Sequence, residues 1–379
     1  MKFAHISDLH LGKRVNEYSM LEDQKYILAR ILNILDDEKP DALLISGDIY
    51  DKSIPSAEAV SLFDDFIVRL AKKQLRTFVI SGNHDSPERL SFGNRLIDMS
   101  GIHISPVYDG SIKPTVLSDK FGDVNIYMLP FIKPAHVRAA FSEAEIADQT
   151  AAVRFALQQA GVDPAARNVL LAHQFVTGAE RSDSEDISVG GTDNVDAAVF
   201  ADFDYVALGH IHRPQNAGGE KIRYCGSPLK YSFSEAPYDK SVTIAELGEK
   251  GSLAVKTVPL VPMREMREIK GSYDELMSKS YYDGTDYTDA YMHITLTDED
   301  DIPFAAAKLQ QIYKNLMKLD YDNSRTRHKA TFDSASDVER KTPPQLFADF
   351  FEQQNGRPLS EEQAEIVESI IKSIWEGEQ

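Results

Sequence analysis

The chain has 379 residues, 42% hydrophobic and 27% charged, with a formal net charge of −19. That length leaves room for one large domain plus smaller ones, and no window approaches the ~18–20 uninterrupted apolar residues of a membrane span. The acidic balance argues against a protein that coats DNA with a basic face, but not against a DNA enzyme whose metal ions and partner supply positive charge locally.

Short apolar runs predict strands over Lys2–Ser7, Asp41–Ser46, Thr77–Ser81, Asn125–Leu129, Asn168–Ala172, Tyr205–Leu208 and Ile222–Cys225. A helix is expected near Met20–Asp37, where Ile27, Ile31 and Leu35 recur at helical spacing before Pro40. A second should begin after Pro55 with Ser56 as N-cap and a stripe of Val60, Phe63, Phe66, Ile67 and Leu70; a third should start near Pro87. Strands alternating with helices read as α/β. Composition shifts near Val261-Pro262. From there the pattern is strand Met263–Ile269, helix, strand Tyr291–Thr297, helix Pro303–Leu319, strand, which predicts a small α+β domain. A polar stretch from Asp333 then leads to two amphipathic helices near Gln345–Gln353 and Ser360–Glu376. Acidic residues outnumber basic ones 11 to 4 from Asp333 onward, so this tail is not expected to grip phosphates. The domain boundaries are therefore read as 1–261, 262–332 and 333–379. The start, MKFAHISDLH, lacks the basic stretch and apolar run of a signal peptide, and the lone Cys225 excludes an intrachain disulfide. Both point to the cytoplasm.

Five segments place metal-type ligands just past a strand end: Ser7-Asp8-Leu9-His10, Gly47-Asp48-Ile49-Tyr50-Asp51, Gly82-Asn83-His84-Asp85, Ala172-His173-Gln174 and Gly209-His210-Ile211-His212. Carboxyl ends of strands in an α/β sheet are where ligands gather. Asp8 and His10 share one side of an extended chain, as do His210 and His212. Gly47, Gly82 and Gly209 stand where the chain must turn sharply or approach another backbone. Imidazole and oxygen donors without a thiolate suit manganese, iron or zinc. The set is too large for one ion, and Asp48 is the best candidate to bridge two.

These five blocks resemble, in order, the motifs of the calcineurin-like metallophosphoesterase superfamily: DxH, GDxxD, GNHD, a lone His and GHxH. The resemblance implies a two-sheet β-sandwich flanked by helices. It implies one divalent ion on Asp8, His10, Asp48 and His212 and another on Asp48, Asn83, His173 and His210. His84 is similar to the family's catalytic histidine and Asp51 to the carboxylate that orients it. The implied reaction is phosphodiester hydrolysis by a hydroxide activated by two metals. The stretches AHISDLHLGK, GDIYDKSIPS, SGNHDSPERL, GHIHRPQ and CGSPLKYSFSE resemble the SbcD branch. There a capping domain and C-terminal helices follow the nuclease domain, and the helices bind the SMC-type ATPase SbcC. This implies manganese-dependent cleavage of DNA ends and hairpins in repair, recombination and replication, by a homodimer of nuclease chains. Related archaeal and eukaryotic nucleases carry His where this chain has Asp51. The dimer would use Ser56–Leu70 and Pro87–Met99, anchored by Leu90 and Phe92.

Plainer readings stand beside these. Lys13, Arg14, Arg89, Arg213 and Lys230 follow motif loops and are either phosphate contacts or solvated surface. Asp85 is read as a carboxylate bonded to nearby backbone, and Cys225 as buried and inert. His103, His136, His293 and His328 carry no motif. The acidic stretch Ala179–Asp186 is read as a loop after His173, with a substrate gate as the alternative. The metal centre alone does not separate a DNA nuclease from an enzyme of small phosphodiesters. A non-catalytic scaffold would need a broken ligand set, and none is broken.

Overall fold

A computed structural model describes residues 1–183, 185, 193–326, 342–355 and 357–376. His328, the polar stretch 333–341, Gly356 and residues 184 and 186 of the loop after His173 lie outside the described residues. The chain divides into two compact units, Met1–Glu265 and Met266–Gln379.

The first unit is built on two six-stranded sheets. In chain order its main elements are β1 (Lys2–Ile6), α1 (Leu21–Glu38), β2 (Ala42–Ser46), α2 (Ala57–Lys72), β3 (Arg76–Ile80), β4 (Ile102–Ile104), β5 (Thr115–Asp119) and β6 (Gly122–Leu129). They continue with α3 (Pro134–Ala140), α4 (Gln149–Gln159), β7 (Arg167–His173), β8 (Tyr205–Gly209), β9 (Gln215–Asn216), β10 (Ile222–Tyr224), β11 (Ser241–Leu247) and β12 (Leu253–Pro259). One sheet runs β12-β11-β1-β2-β3-β4 and the other β9-β10-β8-β7-β6-β5. The strands that matter most, β1-β2-β3 in one sheet and β6-β7-β8 in the other, pair in parallel. Phe3, Leu44, Phe78 and Ile80 of the first sheet and Ile126, Val169, Leu171 and Ala207 of the second form one buried cluster. A second cluster joins Leu170, Val206 and Leu208 to Val153 and Ala156 of α4. Burial on both faces explains why these strands read as continuous apolar runs.

Local chemistry sets the helix limits. Ser56 accepts the Ala59 N–H at the start of α2, and Lys39 closes α1 in a left-handed conformation just before Pro40. The helix expected from Pro87 is corrected. It is a single turn, Pro87–Leu90, because Gly93 at φ 73° separates it from a second turn, Asn94–Ile97. Leu90 is buried while Phe92 is 85% exposed, so Leu90 is no surface anchor. Strands β4, β5, β9, β11 and β12 and helices α3 and α4 have no counterpart in the sequence reading. For β12 the cause is plain: it is an edge strand with mostly exposed side chains and little alternation.

The second unit holds a parallel sheet of β13 (Met266–Gly271), β14 (Tyr291–Leu296) and β15 (Asn315–Tyr321). Leu276, Met292, Ile294, Leu309 and Tyr313 make its core. The helix predicted over Pro303–Leu319 is corrected too. It spans only Ala305–Leu309, and β15 begins six residues later. Leu309, Leu316 and Leu319 lie at spacings a helix would also use, and only the open edge of β14 makes the later ones a strand. Helices α5 (Pro343–Asn355) and α6 (Glu361–Glu376) complete the unit. Among the described residues no helix is long and apolar enough to cross a membrane.

Candidate metal centre

The carboxyl ends of β1, β2, β3, β7 and β8 meet at one pole of the first unit, where the two sheets converge on Ser46. Its hydroxyl donates to the Ala207 carbonyl at 2.8 Å, and its own carbonyl accepts from His173 Nδ1 at 2.8 Å. Around this point Asp8, His10 and His212 bring ligand atoms within 4.8 Å of one another, as do Asp8, Asp48 and His173, and His10, Asp48 and His84. Nε2 of His10 and of His212 face each other at 3.1 Å. Asn83 Oδ1 lies 3.0 Å from His173 Nε2 and 2.9 Å from His210 Nδ1. Asp48 Oδ2 lies between the two groups, 3.7 Å from His10 Nε2 and 3.3 Å from His173 Nε2. All seven residues with expected ligand roles are thus neighbours.

The backbone is bent hard to achieve this. Asp8, His10, Asp48 and His210 all have positive φ, of 54°, 43°, 49° and 101°. Non-glycine residues adopt this region at a cost, and they gather where surrounding structure enforces it. The motif glycines supply room: a Cβ on Gly82 would lie 2.1 Å from Asp48 Oδ1, and one on Gly209 1.9 Å from the Ser46 carbonyl.

The donor set suits divalent cations. Asp8, His10, Asp48, His173, His210 and His212 are all buried, and they bring together imidazole and oxygen donors without a thiolate. His10 Nδ1 and His210 Nε2 are buried without a hydrogen-bond partner among the described residues. Burial pushes the Asp8 carboxyl up to about 6. It acts on Asp48 in the same direction, but the charges of His173, His10 and His84 outweigh it and hold Asp48 well below the usual carboxylate range. Burial keeps His10 well below the ordinary imidazole value and lowers His210 to about 3. For His173 burial is overcome by Asp48, which lifts it to about 9. Packing so many ionisable groups into a space closed to water is costly unless counter-charge is supplied.

A layer of hydrogen bonds aims these groups. Because Ser46 O can only accept, His173 carries its proton on Nδ1 and turns Nε2 inward. His212 Nδ1 meets the buried Glu235 at 3.4 Å, and Glu235 is ion-paired with Lys240, whose ammonium also donates to the His212 carbonyl at 2.8 Å. Gln24 donates to the His10 carbonyl at 2.7 Å, and Tyr231 OH to the Leu9 carbonyl. Asp85 accepts from Ile49, Tyr50 and Gly82 N–H, tying the second motif to the third as its structural reading expects. Sequence reasoning gave Gln24, Tyr231, Glu235 and Lys240 no role, although CGSPLKYSFSE contains two of them.

His84 is 20% exposed, at the mouth of the centre. Its Nδ1 donates at 3.0 Å to the backbone carbonyl of Asp51. The expectation that the Asp51 carboxylate orients His84 is therefore corrected: that carboxylate pairs with Lys13 at 2.9 Å and stands 3.8 Å from His10 Nδ1. Of the basic loop residues, Lys230 is held by Glu265 at 2.7 Å and Arg213 by Glu180. Cys225 is buried against Ser7, and burial pushes its thiol up.

Residues 1–214 match the family described as calcineurin-like phosphoesterase, and residues 262–355 match the one described as type 5 capsule protein repressor C-terminal domain. The SbcD subunit of the nuclease SbcCD from Staphylococcus epidermidis is 32% identical over 382 residues, covering 100% of both chains. Among solved structures, a dimetal phosphatase from Danio rerio covers 69% of this chain and 96% of its own at 11% identity, with a TM-score of 0.42. A Thermus thermophilus protein covers 68% and 98% at 12% identity, with a TM-score of 0.39. The family match across the metal pole and the full-length correspondence together assign the chain: it belongs to the calcineurin-like phosphoesterases and, within them, to the SbcD nucleases.

Proposed function

We propose that this chain is a metal-dependent DNA nuclease that hydrolyses phosphodiester bonds and works as one subunit of a complex with an SbcC-like ATPase. The supporting observation is the convergence of Asp8, His10, Asp48, Asn83, His173, His210 and His212 beside an accessible His84. In this reading Asp8, His10, Asp48 and His212 hold one cation and Asp48, Asn83, His173 and His210 the other. Two divalent ions held there, manganese in this reading, would supply Lewis acidity to activate a water and neutralise charge on the phosphate. The chain's own residues do the rest. Asp48 stands between the two ligand groups and sets their spacing. The Asp51 carbonyl keeps a proton on His84 Nδ1, so that the other ring nitrogen faces the substrate and serves the leaving oxygen. Asp51 itself contributes by fixing Lys13 at the mouth.

Residues 1–261 would then be the nuclease domain, 262–332 a capping domain, and 333–379 the linker and helices that bind the ATPase. Phe347, Phe350, Ile366 and Ile370 are 42–59% exposed, an apolar surface suited to a partner helix. Ile54, Phe92, Leu96 and Met99, 69–86% exposed, suit pairing of two nuclease chains. The complex would process DNA ends and hairpins in repair, recombination and replication, in the cytoplasm. The test is cleavage of end-labelled duplex and hairpin DNA by the purified chain with manganese, with chelator, and by His84→Ala. The expected result is loss with chelator and a fall of about 10²–10⁴ in the variant. Turnover of a small phosphodiester with DNA left intact, even with the ATPase present, would overturn the DNA reading.

A further inference from the structure

The connector between β10 and β11, residues 225–240, carries none of the five ligand segments, yet it closes around the metal pole. Ser227 N–H donates to the His212 carbonyl at 3.2 Å. The Tyr231 ring meets those of His10 at 5.6 Å and His212 at 5.9 Å. A short turn, Phe233–Glu235, then brings the Glu235 side chain back to His212. Its carboxylate is fully buried and both oxygens are engaged. Oε1 faces His212 Nδ1 at 3.4 Å and accepts the Tyr231 N–H at 3.2 Å. Oε2 pairs with Lys240 and lies 3.4 Å from the Ser227 hydroxyl. Lys240, 4% exposed, also donates to Ser227 Oγ at 2.9 Å and to the His212 carbonyl at 2.8 Å. On the other side of the His212 ring, Nε2 points to the remaining ligands, 3.1 Å from His10 Nε2.

Burying a carboxylate and an ammonium costs desolvation that their attraction repays only in part, and apolar side chains of the same volume would hold a connector in place as well. What apolar side chains cannot do is accept a proton from an imidazole. A metal-ligating histidine turns one nitrogen to the ion and gives its other N–H to an acceptor, which fixes the tautomer and the orientation of the ring. His173 has that arrangement with a neutral acceptor, the Ser46 carbonyl. His212 has a carboxylate in the same place, and a carboxylate makes the opposite nitrogen a stronger donor than a carbonyl does. We propose that Glu235 is a positioning residue of the metal centre, whose carboxylate holds the Nδ1 proton of His212 and leaves Nε2 free for the ion, with Lys240 balancing its charge. The proposal rests on the metal-dependent reading. It names a residue outside the five ligand segments on which the ion held by Asp8, His10, Asp48 and His212 depends.

The test reads metal affinity and stability separately. Manganese binding to the metal-free full chain is followed by the paramagnetic resonance of the free ion, beside thermal melting of the same metal-free chain. Glu235→Gln/Lys240→Met removes both charges together and so leaves no buried charge unpaired. It is expected to weaken one bound ion by about 10–100-fold while metal-free melting changes little. Should the double variant not fold, Glu235→Gln alone keeps the shape of the side chain and carries the same readout. Asp119→Asn, at the end of the unit away from the metal pole, should lower melting and leave manganese affinity as in the native chain, which separates loss of stability from loss of alignment. Equal affinity in the native chain and the Glu235 variants, or a loss of affinity that Asp119→Asn shares, overturns the positioning role. A native chain that binds no manganese overturns the metal reading and the positioning role with it. Weaker binding in the variants, together with a native chain that hydrolyses no phosphodiester, would support the positioning role and overturn the phosphodiesterase reading.

Discussion

The interiors of the two units differ in kind. In Met1–Glu265 the pole of the sandwich buries carboxylates, imidazoles and a lysine together, on backbone held at positive φ. In Met266–Gln379, among the described residues, the interior is Leu276, Met292, Ile294, Leu296, Leu309 and Tyr313, with Asn323 as the one buried polar side chain. Its ion pairs, such as Arg267–Asp286 and Lys270–Asp322, lie at the surface, where each contributes little. The second unit is organised by burial of apolar surface alone. The first spends part of the stability of its dry inter-sheet core on holding charges where water cannot reach them, and such local strain marks a working site.

The largest effect that would break this contrast comes from one methyl group. Gly209→Ala places a Cβ against the Ser46 carbonyl where backbone cannot yield. It should cost about 3 kcal/mol and remove metal-dependent hydrolysis. Near-native melting and turnover would show that the pole is not tightly constrained. A cavity in the second unit should behave in the opposite way. Leu276→Ala removes a fully buried core side chain and should cost that unit about 2–4 kcal/mol, read by hydrogen exchange of β13 and β14. Hydrolysis of a small phosphodiester should stay within twofold, and its loss would show that the two interiors are energetically one.

The smallest effect sharpens the contrast within the first unit, at the end away from the metal pole. Asp119 takes two bonds from Arg167, at 2.7 and 3.0 Å, and one from the Met1 ammonium at 2.6 Å. Led by the Arg167 bonds, these hold its carboxyl well below the usual range. A depressed carboxylate contributes stability that is fully present above the unfolded value of ~3.9 and is lost as pH falls through the folded value. Asp119→Asn should therefore cost about 1–2 kcal/mol at pH 7, discounted because the side chain is 16% exposed, and the difference from the native chain should close below pH ~4. A difference constant from pH 7 to 3 would mean that the carboxylate's charge is not what matters there.

Much of this was legible in the chain itself. The five ligand segments, the strands before them, the N-cap at Ser56 and the backbone role of Asp85 follow from short-range rules: glycine beside a ligand, apolar runs of strand length and a hydroxyl ahead of a helix. What those rules missed depends on distant partners. β15 reads as helix until β14 offers it an edge, and β12 reads as nothing because an edge strand needs no buried alternation. Asp51 looked like the group that orients His84, since spacing marks a residue without saying whether its carbonyl or its carboxylate will be used. Glu235 and Lys240 carry no spacing signal at all; their pairing has meaning only because His212 arrives beside them from β8. The sequence alone thus determined which residues could bind a metal and which strand each would follow, because those properties are local. Only the tertiary structure decided which of their atoms face one another, because convergence of two sheets at Ser46 sets those distances and no local pattern encodes it.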